Sequence, residues 1–337
     1  MSDNSIIVVA GPTASGKTKL GIALARRYDG EIVSADSMQL YRGMDVGTAK
    51  ATAEEQREAV HHMIDAADPA EAYSVARYVD EAGRVCDDIL SRGRVPILVG
   101  GTGLYIDSLI AGRDFAENQD DRALRTELEA EFDRVGGEAM LAALAAFDPE
   151  RAAKLNAGDR RRIVRAIEIY RLTGRTATEH DAETRRRPPR YDAARIVLNY
   201  KDRADLYDRI DRRVTQMAED GLFEEVAGLL AAGLPADCTA MQAIGYKEAV
   251  LALRGEITRD EALDLIRLGS RRYAKRQITW FGRWEDALRI LWGPEPDFAQ
   301  ALLSSTAFLQ SRGYHEQSVD LHTILMTGRQ NAGPLRE

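Results

Sequence analysis

One glycine-rich segment constrains the fold of this chain more than any other feature. Residues 11–18, GPTASGKT, match the P-loop pattern at every fixed position, and they lie between a buried-strand pattern and a helical pattern. In that context the backbone amides of residues 13–18 are expected to surround a phosphate, with Lys17 neutralising its oxygens and Thr18 binding Mg²⁺. The motif leaves open whether the phosphates belong to a nucleotide or to another pyrophosphate.

Short apolar runs predict strands at residues 5–10, 31–35, 94–99 and 195–200, and helical stretches separate them. Strands that alternate with helices predict an α/β fold, a P-loop core with a parallel sheet and helices on both faces. Such sheets bind ligands beyond the carboxyl ends of their strands. The P-loop, Asp36 and residues 100–103 each follow a predicted strand, so we expect the functional site at that edge.

Residues 101–194 lack a strand pattern, and a plain crossover between parallel strands needs only one helix. The sequence therefore predicts an inserted all-helical subdomain at residues 113–194. Its helices are predicted at residues 120–134, 137–147 and 160–172, and an extended return at residues 185–190.

The catalytic core is then discontinuous, at residues 1–112 and 195–312. Two long helices are expected in its second part, at residues 204–230 and 259–284. No periodic pattern follows residue 313, so residues 313–337 are predicted to form a C-terminal tail that is frayed from residue 328 onward.

Charge is distributed unevenly along the 337 residues. The net charge of −8 argues against a nucleic-acid partner, whereas residues 151–213 hold 18 Lys and Arg against 10 Asp and Glu. That segment could attract a polyanion, or it could be an ordinary solvated face of Arg-rich helices.

The cysteines and the adjacent histidines do not indicate a disulfide framework or a metal site. Cys86 and Cys238 are the two cysteines, too few for a disulfide framework or a Cys-rich zinc site. His61 and His62 are adjacent, and neighbouring side chains of a strand point to opposite faces, so we interpret them as structural. The N-terminal residues lack the pattern of a signal peptide or membrane helix, and we expect a cytoplasmic monomer without membrane contact.

Asp36 is placed beside the P-loop, where a carboxylate could be a helix N-cap, a Mg²⁺ ligand or a general base; position alone leaves the three open. The strand at residues 94–99 ends in Gly-Gly and not in the acidic residue that would complete the magnesium site of an NTPase. A kinase is therefore possible but less favoured.

Several further motifs follow one another along the chain. With residues 11–18, already quoted, they are residues 34–50 (SADSMQLYRGMDVGTAK), 61–65 (HHMID), 99–105 (VGGTGLY), 161–170 (RRIVRAIEIY), 242–248 (QAIGYKE) and 273–281 (YAKRQITWF). In this order, from residue 6 to about residue 284, the chain resembles the tRNA dimethylallyltransferase family, bacterial type.

The resemblance implies transfer of a dimethylallyl group from dimethylallyl diphosphate to the exocyclic amine of an adenine in tRNA. That adenine lies on the 3′ side of the anticodon in tRNAs that read codons beginning with U, and the products are i6A and diphosphate. It implies that Asp36 is the general base and that Mg²⁺ binds Thr18. The residues implied to hold the diphosphate are Gly11, Thr13, Ala14, Ser15, Gly16, Lys17, Thr18 and Arg209.

The same resemblance implies a set of tRNA contacts. They are Asp36, Ser37, Met38, Gln39, Thr102, Arg160, Arg161, Arg162, Ile163, Val164, Gln242, Ala243, Ile244, Gly245, Tyr246, Lys247, Lys275, Arg276, Gln277, Ile278, Thr279, Trp280, Phe281 and Gly282. Gly282 stands where relatives often carry a basic residue, and Ala51 replaces a frequent proline. Trp280 and Phe281 could instead be ordinary helix packing.

Three rival functions remain for comparison. A P-loop kinase of a small metabolite would require ATP and no basic insertion. An isopentenyltransferase of free AMP or ADP would be shorter than this chain. A catalytically silent RNA-binding protein would not need an intact P-loop next to Asp36.

Overall fold

In a computed structural model, the described part of the chain is residues 3–113 and 122–316, without the side chains of Arg122 and Arg185. These residues form two compact units. The sheet unit comprises those within Met1–Tyr73, Glu81–Ile106 and Asp192–Glu337, and the helical unit those within Ser74–Asp80 and Asp107–Tyr191.

The sheet unit contains a six-stranded parallel sheet in the order β3-β2-β4-β1-β5-β6, with helices on both faces, as the sequence predicted. Its strands are β1 (Ser5–Ala10), β2 (Gly30–Ser34), β3 (His61–His62), β4 (Val95–Gly100), β5 (Asp192–Tyr200) and β6 (Leu288–Trp292). Ile7 of β1 lies opposite Ile97 and Ala194 in the neighbouring strands. Every residue of β1 and β4 is buried, which explains their continuous apolar sequences.

The helices of the described residues alternate with these strands or follow them. They are α1 (Lys17–Arg27), α2 (Ala53–Glu58), α3 (Val75–Ser91), α4 (Gly103–Ala111), α5 (Arg122–Val135), α6 (Gly137–Ala145), α7 (Pro149–Ala152), α8 (Arg160–Thr173), α9 (Ala177–Arg186), α10 (Arg203–Glu219), α11 (Leu222–Ala231), α12 (Tyr246–Leu253), α13 (Arg259–Phe281) and α14 (Phe298–Ser311).

Two predicted segments are corrected by the structure. The single helix expected at residues 204–230 is two helices, α10 and α11, because Gly221 adopts a left-handed conformation (φ 100°) between them. The return expected to be extended at residues 185–190 begins inside α9, whose start is stabilised by a capping box of Thr176 and Glu179. Strand β6 and helices α7, α9, α12 and α14 had no counterpart in the sequence prediction, whereas β3 consists of the two histidines that were interpreted as strand residues.

The helical unit has its own core, built from α5, α6, α7, α8 and α9. Leu128, Met140, Leu144 and Ile163 lie at its centre. Glu168 is fully buried there, and its carboxylate pairs with the guanidinium groups of Arg125 and Arg165. A buried carboxylate needs such partners, so these arginines support the fold.

Residue 314 belongs to the sheet unit's core although it follows the predicted tail boundary. The Tyr314 hydroxyl donates to the Ile6 carbonyl at 2.7 Å, and the ring packs edge-on against Tyr28. Residues 317–337 of the predicted tail, including the segment from 328, lie outside the described residues. None of the helices described in the structure is long and apolar enough to cross a membrane.

Candidate active site

The P-loop connects β1 to α1 at the carboxyl edge of the sheet. Gly16 has a left-handed backbone (φ 80°), which favours glycine, and α1 begins at the next residue. The Lys17 Nζ donates to the Pro12 carbonyl at 2.7 Å, so the lysine folds back over the loop. The Ser15 hydroxyl is buried without a hydrogen-bond partner in the described residues. An orphaned donor inside such a loop fits a site that is completed by a ligand.

Two cations meet at this loop. Burial, followed by repulsion from Arg213, lowers the pKa of Lys17 to about 7, and attraction from Asp36 opposes the shift. Burial also lowers the pKa of Arg213, again opposed by Asp36. The Nε of Arg213 is buried without a hydrogen-bond partner among the described residues. Two half-buried cations beside a single carboxylate favour an anionic ligand.

Arg213 was not among the residues implied by the sequence. Both Arg209 and Arg213 lie on α10, one turn apart, but the recorded electrostatic interactions link Arg213 to Lys17 and Asp36. The charge of Arg209 instead opposes the rise in the pKa of Tyr200, the last residue of β5. The i, i+4 spacing between the arginines is the signal that could have drawn attention to both.

Asp36 follows β2, and its side chain closes a turn. Oδ1 accepts the backbone N–H of Met38 at 2.9 Å and that of Gln39 at 3.4 Å. One carboxylate oxygen therefore closes a turn, and because no helix of the described residues begins at Asp36, the residue is not a helix N-cap. No hydrogen bond to Oδ2 is recorded in the described part of the chain, so this oxygen can accept a proton or a metal ion while the turn stays intact.

The turn after β4 lies against Asp36. The Thr102 N–H donates to the Ala35 carbonyl at 3.1 Å, and the Thr102 hydroxyl accepts the Ser37 N–H at 3.1 Å. These two bonds bring together the neighbours of Asp36 and the glycine-rich turn. The structure thus joins three segments that the sequence predicted at one edge: the P-loop, Asp36 and the turn at residues 100–103.

Gln277 of α13 bridges two of these segments. It is 4% exposed. Its Oε1 accepts the Thr13 N–H at 2.9 Å, and its Nε2 donates to the Gly101 carbonyl at 2.9 Å. A side chain at Gly101 would collide with that amide. The Thr13 amide is therefore already bonded, which corrects the expectation that every amide of residues 13–18 is free for a phosphate.

Aromatic side chains surround Asp36. Burial, with a contribution from the Asp36 charge, raises the pKa of Tyr273 to about 12 and also raises the pKa of Tyr105. Both hydroxyls therefore stay protonated at neutral pH and can donate hydrogen bonds. Interactions with the side chains of Thr102 and Gln277 oppose the rise in the pKa of Tyr273. Trp280 packs closely on Gly103 at the start of α4.

The loop after Asp36 is held by internal contacts. The Gln39 amide donates to the carbonyls of Thr48 and Ala49 at 3.3 and 3.2 Å. The carboxylate of Glu225 accepts the backbone N–H groups of residues 45–47 and the hydroxyl of Tyr246 at 2.6 Å. Gln39 and Tyr246, which the resemblance implied as tRNA contacts, therefore have structural partners within the protein.

The remaining residues implied to contact tRNA divide by burial. Exposed side chains are those of Arg161, Arg162, Gln242, Lys247, Lys275, Arg276 and Thr279, and Gly282 is exposed as well. Buried residues are Ile163, Val164, Ala243, Gly245, Tyr246, Gln277 and Phe281. Ser37, Met38, Thr102, Arg160, Ile244, Ile278 and Trp280 are partly buried. The buried side chains pack inside their own unit, and the exposed ones lie on the surface of the unit to which each belongs.

Arginines at the start of α8 are not equivalent. Arg160 pairs with Asp133, and Arg165 pairs with the buried Glu168. Arg161 and Arg162 are exposed, and the described residues record no ion pair for either of them. These two guanidinium groups are the ones free to bind a phosphate backbone.

The adjacent histidines do not form a metal site with their neighbours. The described residues contain no group of three or more His, Cys, Asp and Glu that could hold a metal ion. The His62 Nε2 hydrogen-bonds to the buried Glu31 at 2.7 Å, and Arg92 and Arg94 lie on the same carboxylate. That network links β2 with β3 and with the segment before β4.

Comparisons with known proteins give the family. A family model described as IPP transferase matches residues 39–284, and one described as isopentenyl transferase matches residues 4–67. The chain is 49% identical over 286 residues to the tRNA dimethylallyltransferase of Heliobacterium modesticaldum, which covers 85% of this chain and 88% of that protein. It is 48% identical over 290 residues to the tRNA dimethylallyltransferase of an Exiguobacterium species, covering 86% and 91%.

Solved structures agree with these relatives. The full-length tRNA isopentenylpyrophosphate transferase of Bacillus halodurans is 41% identical, with a TM-score of 0.68 over 91% of this chain and 96% of that chain. A eukaryotic dimethylallyltransferase acting on tRNA is 27% identical, with a TM-score of 0.76 over 90% and 77%. The chain is thus a member of the tRNA dimethylallyltransferase family, the IPP transferases.

Proposed function

We propose that this protein transfers the dimethylallyl group of dimethylallyl diphosphate to the exocyclic amine of the adenine 3′-adjacent to the anticodon in tRNAs that read U-initial codons. One observation carries the proposal. Lys17 and Arg213, two half-buried cations near the P-loop, interact electrostatically with Asp36, whose Oδ2 is open. A site for a diphosphate leaving group therefore adjoins a base.

Chemistry requires both parts. The lone pair of an exocyclic adenine amine is delocalised into the ring, which makes the amine a poor nucleophile. As its nitrogen bonds to the first carbon of the dimethylallyl group, the carbon–oxygen bond breaks and its electron pair leaves with the diphosphate. The amine proton passes to Asp36 Oδ2, and general bases of this kind contribute roughly 10²–10⁴-fold in rate.

Charge that develops on the departing diphosphate is stabilised by groups already in place. Lys17 lies on the loop, Arg213 reaches it from α10, and the start of α1 presents backbone amides. The donor set also suits Mg²⁺, which binds one or two protein oxygens together with substrate phosphates. Thr18 is the residue that would hold the ion. A bound Mg²⁺ would neutralise part of the charge of the diphosphate.

The adenine must leave the tRNA loop stack to reach Asp36. The half-buried Tyr273 supplies an aromatic face and a neutral hydroxyl near that carboxylate. Aromatic faces stabilise an unstacked base, and hydroxyls can recognise its edges. Lys275 and Arg276 lie on the same helix as Tyr273 and are exposed, so they can bind the backbone of the loop.

Prenyl transfer is favoured over the rival kinase by the family membership and by the relatives, which are named for tRNA prenylation. It is favoured over an isopentenyltransferase of free AMP by the additional helical unit, whose helix α8 exposes Arg161 and Arg162. A free nucleotide has no extended backbone for such groups to bind.

Labelled dimethylallyl diphosphate tests the proposal directly. The protein is incubated with Mg²⁺ and either unmodified tRNA, AMP or buffer, without ATP. Label should enter tRNA alone, and Asp36→Asn should abolish most of the incorporation. Label in AMP, or a strict need for ATP, would overturn the proposed reaction. Mapping the labelled nucleotide tests its position next to the anticodon.

A further inference from the structure

Two aromatic residues from the C-terminal part of the sheet unit contact the P-loop at Ser15 and Gly16. Trp292, the last residue of β6, is 3% exposed, and its indole Nε1 donates to the Ser15 carbonyl at 2.9 Å. Phe298 begins α14, and a Cβ atom placed on Gly16 would lie 2.6 Å from its Cζ. Both aromatics lie beyond residue 284, where the family match ends.

The hydrogen bond from Trp292 to the Ser15 carbonyl also orients the N–H of the next residue, Gly16. In a planar trans peptide the carbonyl of one residue and the N–H of the next point to opposite sides. The described residues contain no cis peptide bond. Because the Ser15 carbonyl is tied to Trp292, the Gly16 N–H points away from β6. The Phe298 ring lies against the Cα of Gly16 and fills the space on that side of the loop.

The arrangement is needed because Gly16 has little conformational preference of its own. Glycine adopts left-handed and right-handed backbones with similar ease, and fixing one of them costs entropy. The two aromatics support each other, with ring centroids 5.2 Å apart, and the Lys19 ammonium lies 4.4 Å from the centre of the Phe298 ring. The anchor is therefore built from contacts between groups of the protein itself.

We propose that Trp292 and Phe298 are positioning residues that fix the Ser15–Gly16 peptide so that the Gly16 N–H is presented to the diphosphate. The inference rests on the proposed diphosphate site. It assigns a role in substrate binding to β6 and α14, two elements that contribute no residue to the motifs of the chain.

Trp292→Phe is the main test, because it removes the indole donor and retains an aromatic ring. Binding of dimethylallyl diphosphate and of inorganic diphosphate, each with Mg²⁺, is measured by calorimetry. We expect both dissociation constants to rise about three- to tenfold, the effect of one net hydrogen bond. Affinity for tRNA should stay unchanged. Phe298→Leu, which opens space beside Gly16, should also weaken diphosphate binding selectively.

A matched control is Trp284→Phe. Trp284 is also buried in the sheet unit, but it packs on Phe281 with ring centroids 4.8 Å apart. This variant should lower the melting temperature without a selective loss of diphosphate affinity. Parent-like diphosphate binding in both Trp292→Phe and Phe298→Leu would overturn the inference, as would an equal loss of tRNA affinity. If the unaltered protein bound diphosphate but transferred no label to tRNA, the proposed function alone would fail.

Discussion

The side-chain oxygen of Gln277 accepts the backbone N–H of Thr13 at 2.9 Å, across 264 positions of the chain. Its amide nitrogen simultaneously donates to Gly101. Gln277, which the resemblance implied to contact tRNA, is therefore a buried residue whose side chain links the P-loop to the turn that adjoins Asp36. Its effect on catalysis should pass through the diphosphate site.

Gln277→Glu should keep one of the two hydrogen bonds of the Gln277 side chain and remove the other. The carboxylate still accepts from Thr13 but repels the Gly101 carbonyl, and protonation restores a donor. Because burial raises the pKa of a carboxyl group, diphosphate affinity of the variant should recover as the pH is lowered from 8 to about 6. Gln277→Leu loses both bonds and should remain roughly tenfold weaker at both values. Calorimetric titration of inorganic diphosphate provides the measurement, and identical pH profiles for the two variants would contradict it.

Asp36→Asn should bind both substrates nearly as well as the parent and turn over at least ~10²-fold more slowly. The amide oxygen can still accept from Met38, so the turn survives, but the side chain cannot take a proton. Single-turnover transfer at saturating substrates, repeated across a Mg²⁺ titration, separates the three roles considered for Asp36. Rescue by Mg²⁺ would indicate a metal ligand, and a parent-like rate a role confined to closing the turn.

Arg213→Met should weaken diphosphate binding more than Arg209→Met does, although the two residues share a helix. A charged hydrogen bond contributes about 1.5–3 kcal/mol, so the loss for Arg213 should be roughly ten- to 100-fold. Steady-state kinetics with varied dimethylallyl diphosphate give the comparison, and tRNA affinity serves as the control. A larger defect for Arg209→Met would restore the residue that the resemblance implied.

Lys17 should make diphosphate binding take up a proton. Its pKa of about 7 in the free protein leaves the amine mostly neutral at pH 8, and a nearby dianion raises the pKa and recharges it. Uptake should approach one proton per diphosphate at pH 8 and fall toward zero as the pH drops below 7. Calorimetry in buffers of different ionisation enthalpy measures this quantity. Lys17→Met should abolish the uptake; persistence of the full signal in that variant would assign it to another group.

Replacement of Arg161 and Arg162 by Gln should weaken tRNA binding and make its salt dependence shallower, by about one counterion for each lost phosphate contact. Neither guanidinium has a recorded ion pair in the described residues, so the fold should be unaffected. Arg165→Gln is the contrasting variant, because Arg165 pairs with the buried Glu168 and its loss should lower the stability of the helical unit. An unchanged salt slope for the double variant would mean that these arginines form only a solvated face.

Much of the sheet was predictable because its central strands are buried on both faces. Ser5–Ala10 and Val95–Gly100 are continuous apolar runs, and such runs bounded by glycine indicate parallel strands. β6 was missed because Arg289 interrupts its sequence, as solvent exposure allows at the edge of a sheet. The break at Gly221 was missed because α10 and α11 continue one apolar periodicity through the glycine.

Some residues of the site could likewise be predicted from the sequence, and others could not. Lys17, Thr18 and Asp36 are specified by local motifs, which sequence alone can identify. Arg213 is distinguished from Arg209 only by the direction in which α10 presents each residue. The roles of Gln277 and Trp292 depend on contacts between distant segments, which no spacing within the chain reveals.

The P-loop's anchors also set the order in which the site can be assembled. Thr13 and Ser15 emerge early in synthesis, but their partners Gln277 and Trp292 follow 264 and 277 residues later. Contacts of such separation form late, because a long loop must be closed before they are gained. A nascent chain would thus carry a complete P-loop motif with its Ser15 carbonyl and its Thr13 amide unbonded. Full affinity for diphosphate would be reached only when α13 and the last strand of the sheet have docked, so that the strength of ligand binding reports a late step of folding.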